Sequence, residues 1–100
     1  MAFRRREVVW AKRARQAVDD ALLFIAKQSP QNASRLASQI IERADSLATF
    51  SERGRAVPEV GDPILREILI DPFRLMYEVF EDEVRIVGFL HQRQLFRPVR

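Results

Sequence analysis

The spacing of apolar residues changes once along the chain, from helical steps to strict alternation, and this change constrains the fold most. Apolar side chains recur at steps of three and four over residues 13–28 and again over 30–51, which is the pattern of amphipathic helices. Further on, apolar and polar residues alternate, which predicts strands over 64–70, 73–80 and 83–91. A helical half followed by a strand half predicts an α+β fold, with the helices packed on one face of a small sheet.

The connections between these elements carry their own signals. Ser29 is a favourable N-cap and Pro30 suits the first helical position, so a short link joins the two helices into an antiparallel hairpin. Glycines and prolines interrupt residues 53–63, which predicts an irregular segment there. The links at 71–72 and 81–82 are short turns, so the last three strands are expected to form an antiparallel meander.

The arginine-rich start of the chain is predicted to be a further strand. Residues 3–10 end in a run of valine and tryptophan after several charged residues, and charge is typical of a protected edge strand. The expected order is βααβββ in one domain spanning 1–100, with a mainly antiparallel sheet and a tail at 92–100. A chain of this length can bury one core but not two.

Composition excludes several classes of site. The chain of 100 residues contains no cysteine and one histidine, so disulfides are excluded, a zinc site is improbable, and no metal or other cofactor is expected. The sequence shows no run long enough to span a bilayer and no signal-peptide pattern. These features predict a cytoplasmic protein that does not contact a membrane.

The charge is only mildly basic, at +3, although 17 residues are lysine or arginine. Fifteen of the seventeen are arginine, whose forked guanidinium suits carboxylate or phosphate. The two ends of the chain are basic and the middle is acidic. A nucleic-acid-binding protein usually carries a stronger excess, so arginines on a solvated surface or paired with nearby acids are the simpler interpretation.

Strand parity sorts residues 73–91 into two faces, because successive side chains of a strand point in opposite directions. The helix-facing set is expected to be Phe73, Leu75, Tyr77, Val79, Val84, Ile86, Gly88 and Leu90. The second face is expected to carry Arg74, Met76, Glu78, Phe80, Arg85, Val87, Phe89, His91 and Arg93. An apolar patch rimmed by charge is typical of a partner-binding surface. All members of the second set except Glu78 are therefore candidate contacts for a protein partner.

Several short motifs occur in a fixed order along the chain. They are Val8-Val9-Trp10 before the first helix, Ser29-Pro30, Gly54-Arg55, Val57-Pro58-Glu59, Leu65-Arg66-Glu67, Pro72-Phe73-Arg74-Leu75 with Tyr77, and Leu90-His91-Gln92-Arg93. Together they resemble the RelE/ParE superfamily of toxins from type II toxin–antitoxin systems, and the ParE-like branch in particular. The resemblance covers nearly the whole chain and implies the same βααβββ fold. It also implies a cognate antitoxin as partner and DNA gyrase as the target, inhibited by binding.

The other branch of the superfamily implies an alternative function, ribosome-dependent cleavage of mRNA. Arg74 matches an arginine common to both branches, and Arg93 and His91 would complete a metal-free catalytic set. Such cleavage needs proton transfer at two oxygens as well as charge stabilisation, and His91 supplies only one acid–base group. Glu67 could be the second, or it could form a structural ion pair with Arg74.

Two aromatic residues, Tyr77 and Trp10, are expected to serve packing rather than function. Tyr77 is expected in the core with a satisfied hydroxyl, and Trp10 is expected to pack rather than to stack on a base. A third function remains open, that of a protein-interaction module without toxicity, since fold does not fix function.

Overall fold

A computed structural model describes residues 5–95, and it has the α+β fold that the sequence predicts. Its elements are β1 (Glu7–Trp10), α1 (Lys12–Ala26), α2 (Pro30–Ser46), β2 (Arg55–Ala56), β3 (Leu65–Ile70), β4 (Phe73–Val79) and β5 (Glu83–His91). The five strands form one sheet in the order β1-β5-β4-β3-β2. β1 lies at one edge, parallel to β5, and the other neighbours are antiparallel.

The bounds of α1, β3 and β4 differ from the predicted ones by one or two residues, and β1 begins at Glu7 rather than at residue 3. Larger differences occur at the end of α2 and in the segment after it. α2 ends at Ser46 rather than at residue 51, because the backbone N–H groups of residues 47–49 donate to carbonyls three residues earlier instead of four. Ser51 Oγ also donates to the carbonyl of Leu47 at 2.7 Å. The segment predicted to be irregular contains β2, which pairs with β3. Residues 3–4 of the predicted first strand and residues 96–100 of the tail lie outside the described residues.

The two helices form the hairpin that the spacing indicates. Ser29 caps α2 by accepting a hydrogen bond from the backbone N–H of Asn32 at 3.2 Å, and Pro30 follows as the first helical residue. The helix-facing core joins both apolar stripes to the sheet, and its buried members are Ala14, Val18, Leu36, Ile40, Ala44, Leu47, Ile68, Ile70, Leu75, Tyr77, Val84, Ile86 and Phe89. Within residues 5–95, no helix is both long and apolar enough to cross a membrane.

A β-bulge in β5 corrects the assignment of faces. Ile86 of β5 pairs with Tyr77 of β4, but the next residue of β4, Met76, pairs with Gly88. Val87 is therefore an extra residue without a partner of its own. A bulge shifts every later side chain to the opposite face. Phe89 therefore lies on the helix face opposite Leu75.

The same shift moves the remaining residues at the end of β5. His91 pairs with Phe73 and so shares the helix-facing side of the sheet, whereas Leu90 pairs with Arg74 on the second face. Gly88, predicted for the helix face, also lies on the second face, opposite Met76. The predicted positions of Phe89, His91, Gly88 and Leu90 are therefore wrong, and those of the residues before the bulge are confirmed.

Candidate functional site

The second face of the sheet is not open along its whole length. The segment that follows β2 crosses it, and Val57 forms a small buried cluster with Leu65 and Met76 against which Val87 and Leu90 pack. Met76 is 0% exposed. The expectation that Met76 is free to contact a partner is therefore wrong, because an irregular segment rather than a helix covers it.

Arg74 lies at the centre of a buried ion-pair network on this face. Its Nε and Nη2 both lie 2.7 Å from Glu67 Oε1, and its two terminal nitrogens donate to the two carboxylate oxygens of Glu59 at 2.8 Å. Its Nη1 also donates to the backbone carbonyl of Gln94 at 2.7 Å. The hydrogen bonds with Glu59, together with the charge of Glu67, raise the pKa of Arg74.

The network gives Arg74 a structural role. Arg74 is only 5% exposed, and Glu67 is 1% exposed. The alternative in which Glu67 and Arg74 form a structural ion pair is confirmed. The expectation of an exposed Arg74 is wrong, because the guanidinium is saturated by two carboxylates and a carbonyl.

The three residues proposed for catalysis do not share one face. The ring of His91 lies edge-on to Phe73, with the ring centroids 5.9 Å apart, on the helix-facing side. Its Nδ1 accepts a hydrogen bond from the backbone N–H of Arg93 at 3.2 Å. Arg74 points to the second face, and Arg93 is an exposed residue beyond the end of β5.

The remaining candidate contacts lie further along the sheet. Arg85 forms an exposed ion pair with Glu83 at 2.9 Å and stands 5.7 Å from the centroid of the Phe80 ring. Phe80 is 39% exposed. These two side chains, with half-buried Val87, keep the positions on the second face that parity predicts.

A depression of about 660 Å³ opens on the second face beside the Arg74 network. Its charged lining comes from Arg55, Glu59, Arg74 and Arg93, and Leu69 and Leu95 add apolar surface. The Nε of Arg55 donates to Glu67 at 2.7 Å, while the Arg55 side chain stays 63% exposed. In the sequence, Arg55 and Glu59 stand out only as parts of motifs, because nothing local shows that their segment folds across the sheet.

A second concavity, of about 300 Å³, lies between the two helices. Trp10, Val18, Leu22 and Ile40 contribute apolar lining, and Asp19 lies among the charged residues at the same groove. Trp10 packs against the main core as expected. The groove is therefore mainly apolar, which suits the apolar side of another helix.

Tyr77 is buried with its hydroxyl satisfied, as predicted. It is 0% exposed, and its oxygen accepts a hydrogen bond from the backbone N–H of Gly54 at 2.9 Å. Burial raises the pKa of Tyr77 above its usual value of 10.0. A Cβ at position 54 would lie 2.5 Å from both the Tyr77 hydroxyl oxygen and the carbonyl oxygen of Glu67, so only glycine fits there.

Gly54→Ala is expected to lower the free energy of unfolding by about 2–3 kcal/mol, because the added methyl group displaces backbone as well as the Tyr77 hydroxyl. Tyr77 is the one tyrosine of the chain, so an alkaline absorbance titration reports its pKa. This pKa should fall towards 10.0 because the displaced hydroxyl loses part of its burial, the largest cause of the raised pKa, which outweighs the loss of the Gly54 N–H donor. Gly61→Ala is the control: no atom lies within 4 Å of its Cβ, and its positive φ costs about 1 kcal/mol. An unshifted Tyr77 titration in Gly54→Ala would contradict the close contact.

Metal-binding geometry is not found in this part of the molecule. Among residues 5–95, no group of three or more histidine, cysteine, aspartate or glutamate side chains could hold a metal ion.

The fold defines a class of small α+β proteins in which a helical hairpin packs on one face of a five-stranded sheet. A family model described as the ParE toxin of the type II toxin–antitoxin system parDE matches residues 8–96. The chain belongs to this family, within the RelE/ParE superfamily of toxins. Membership implies a cognate antitoxin as a partner.

Comparison with individual proteins gives the same assignment. The chain is 34% identical over 90 residues to "Toxin RelE2" of Caulobacter vibrioides, which covers 89% of this chain and 98% of that protein. It is 27% identical over 97 residues to "Putative toxin Y4kP" of Sinorhizobium fredii, covering 95% and 97%. A solved structure, "Chromosomal ParDE TA system from P. aeruginosa", shares the fold with a TM-score of 0.70 at 19% identity, covering 88% of this chain and 97% of that one.

Proposed function

We propose that this toxin inhibits DNA gyrase by binding it, and that its cognate antitoxin relieves the inhibition by occupying the toxin. The observation that supports binding over catalysis is the separation of the candidate catalytic residues. His91 lies on the helix-facing side of the sheet, and Arg74 lies on the other side. A toxin that binds gyrase would act in the cytoplasm.

The chemistry of RNA cleavage explains why this separation matters. A metal-free ribonuclease needs positive charge on the phosphorane and acid–base groups within hydrogen-bond reach of the reacting oxygens. The charge of Arg74 is already neutralised by Glu59 and Glu67. His91 could not serve the same phosphate as Arg74 without crossing the sheet.

For the antitoxin, we propose that an amphipathic helix occupies the groove between α1 and α2. This groove has an apolar lining with charged residues around it, and a helix binds such a groove through residues spaced three and four apart. Ile41, which lines the groove, is 60% exposed and would be buried by such a helix.

The test is expression of the chain in bacterial cells without an antitoxin, with plasmid supercoiling and transcript integrity followed in the same culture. We expect plasmids to lose negative supercoils before any transcript is cut. Purified gyrase should also be inhibited by the toxin in a supercoiling assay. Cleaved transcripts with normal supercoiling would contradict the proposal and indicate ribosome-dependent cleavage of mRNA. Healthy cells that contain the folded protein would also contradict it and indicate a protein-interaction module without toxicity.

His91→Gln provides the matched variant, since glutamine keeps a polar side chain but cannot exchange protons near neutral pH. A binding inhibitor should retain its potency within a factor of about two. A nuclease that uses His91 should lose about 100-fold or more in rate. Urea unfolding of both proteins controls for the loss of the His91–Phe73 ring contact.

A further inference from the structure

We propose that Arg55 and Arg93 form the site at which this toxin binds an acidic segment of its protein target, an inference that rests on the proposed inhibition of gyrase by binding. The two arginines line the same depression on the second face. One comes from β2 and the other from the segment after β5, so only the folded chain brings them together.

Both guanidinium groups have unused hydrogen-bonding capacity. The Nε of Arg55 donates to Glu67, and within residues 5–95 its two terminal nitrogens donate no hydrogen bond. The guanidinium of Arg93 has no acceptor in the same part of the chain, and the residue is exposed. Each group can therefore offer a pair of parallel N–H donors, the geometry that matches a carboxylate.

The Arg74 network links the chain segments that carry these two arginines. Arg74 holds Glu59 on one side of the depression and the carbonyl of Gln94 on the other. The segment that carries Arg93 is also anchored by a backbone hydrogen bond from Gln92 to the carbonyl of Pro72 at 2.8 Å. Because the backbone at both positions is anchored before binding, a ligand needs to order only the two side chains, which favours affinity. Arg74 is thus a positioning residue for the site.

The lining favours an acidic peptide over a nucleic acid. Among residues 5–95, Arg55, Arg74 and Arg93 exceed Glu59 and Glu67 by one positive charge. Arg74 is buried, so the exposed side chains of Arg55 and Arg93 present this charge to a ligand. Leu69 and Leu95, which are 45% and 66% exposed, place apolar surface beside that charge. Acidic side chains with apolar neighbours satisfy both features, whereas a phosphate backbone gains affinity from many basic contacts.

The test compares two double variants that each remove two positive charges. The site variant combines Arg55→Gln with Arg93→Gln and removes both positive charges of the site. The control combines Lys27→Gln with Arg35→Gln, at two exposed positions on the helical hairpin. The full-length toxin is titrated against purified gyrase in a supercoiling assay. The site variant should need about tenfold more protein for half inhibition, and the control should change by less than about twofold.

The outcomes separate this inference from the proposed function. If the parent toxin does not inhibit gyrase, both fail. If the parent inhibits and the site variant inhibits equally well, the function stands and the arginine site is overturned. If the parent binds linear duplex DNA without gyrase and the site variant does not, the two arginines bind phosphate groups, and the acidic-segment proposal is overturned.

Arg93→Gln alone guards against a folding artefact in the double variant. Arg55 contacts buried Glu67, so its loss could affect stability, but the Arg93 guanidinium makes no hydrogen bond within residues 5–95. Arg93→Gln should therefore unfold like the parent and still show a several-fold loss of inhibition. Parent-like inhibition by this stably folded variant would also overturn the proposal.

Discussion

Replacing Arg74 by methionine is expected to lower the free energy of unfolding by about 3 kcal/mol, because the buried carboxylate of Glu67 then loses a charged partner. Removing one member of a buried ion pair costs about 3–5 kcal/mol. We place the loss at the lower end, since Arg55 Nε remains bonded to Glu67. Chemical unfolding in urea measures the difference directly.

Arg85→Met is the matched control for this prediction. It also removes an arginine from an ion pair on the second face, but the Arg85 side chain is 49% exposed and its partner Glu83 is 31% exposed. An exposed pair contributes about 0–1 kcal/mol. If Arg74→Met and Arg85→Met destabilise the protein equally, the network does not have the stabilising role that its burial indicates.

The helices could be predicted well from sequence because their signals are local. The apolar stripe of each helix and the Ser29 cap depend on residues a few positions apart. The structure confirms both, with Ser29 accepting from Asn32 N–H and the stripes buried against the sheet. Ile41 is the exception, since it continues the stripe of α2 but is 60% exposed at the groove between the helices.

The bulge in β5 could not be predicted, for a reason visible in the residues themselves. Val87, Phe89 and Leu90 are all apolar, so the alternation at the end of the strand fits either register. The extra residue becomes evident only when β5 is paired with β4, where Met76 faces Gly88 and Tyr77 faces Ile86. Because of this one unpaired residue, His91 lies on the opposite face of the sheet from Arg74, and the two cannot form the catalytic set that parity predicts.

The candidate site was predicted in part. The ion pair between Glu67 and Arg74 was among the alternatives that the sequence left open, because the two residues lie on adjacent strands. The contribution of Glu59 could not be predicted from sequence, since it requires the segment after β2 to fold back over the sheet. The exposed pair of Arg55 and Arg93 depends on the same long-range folding, which no local pattern reports.

Met76→Ala should also be strongly destabilising, by about 2–5 kcal/mol, although parity places Met76 on the face proposed for binding. Met76 is fully buried with Val57 and Leu65 under the segment that crosses the sheet. Truncation of a buried methionine loses its transfer free energy and leaves a cavity. Urea unfolding gives the loss, which should appear as a lower midpoint with an unchanged slope.

Phe80→Ala tests the same face at an exposed position. Phe80 is 39% exposed, and Arg85 lies near its ring, so its truncation should cost less than about 1 kcal/mol. If Met76 were a partner contact instead of a core residue, both variants would unfold like the parent and differ only in binding. A large loss of stability at Met76 and a small one at Phe80 therefore places the boundary between core and docking surface within the second face. Any loss of gyrase inhibition in Met76→Ala would then follow from unfolding, whereas the same loss in Phe80→Ala would report a contact.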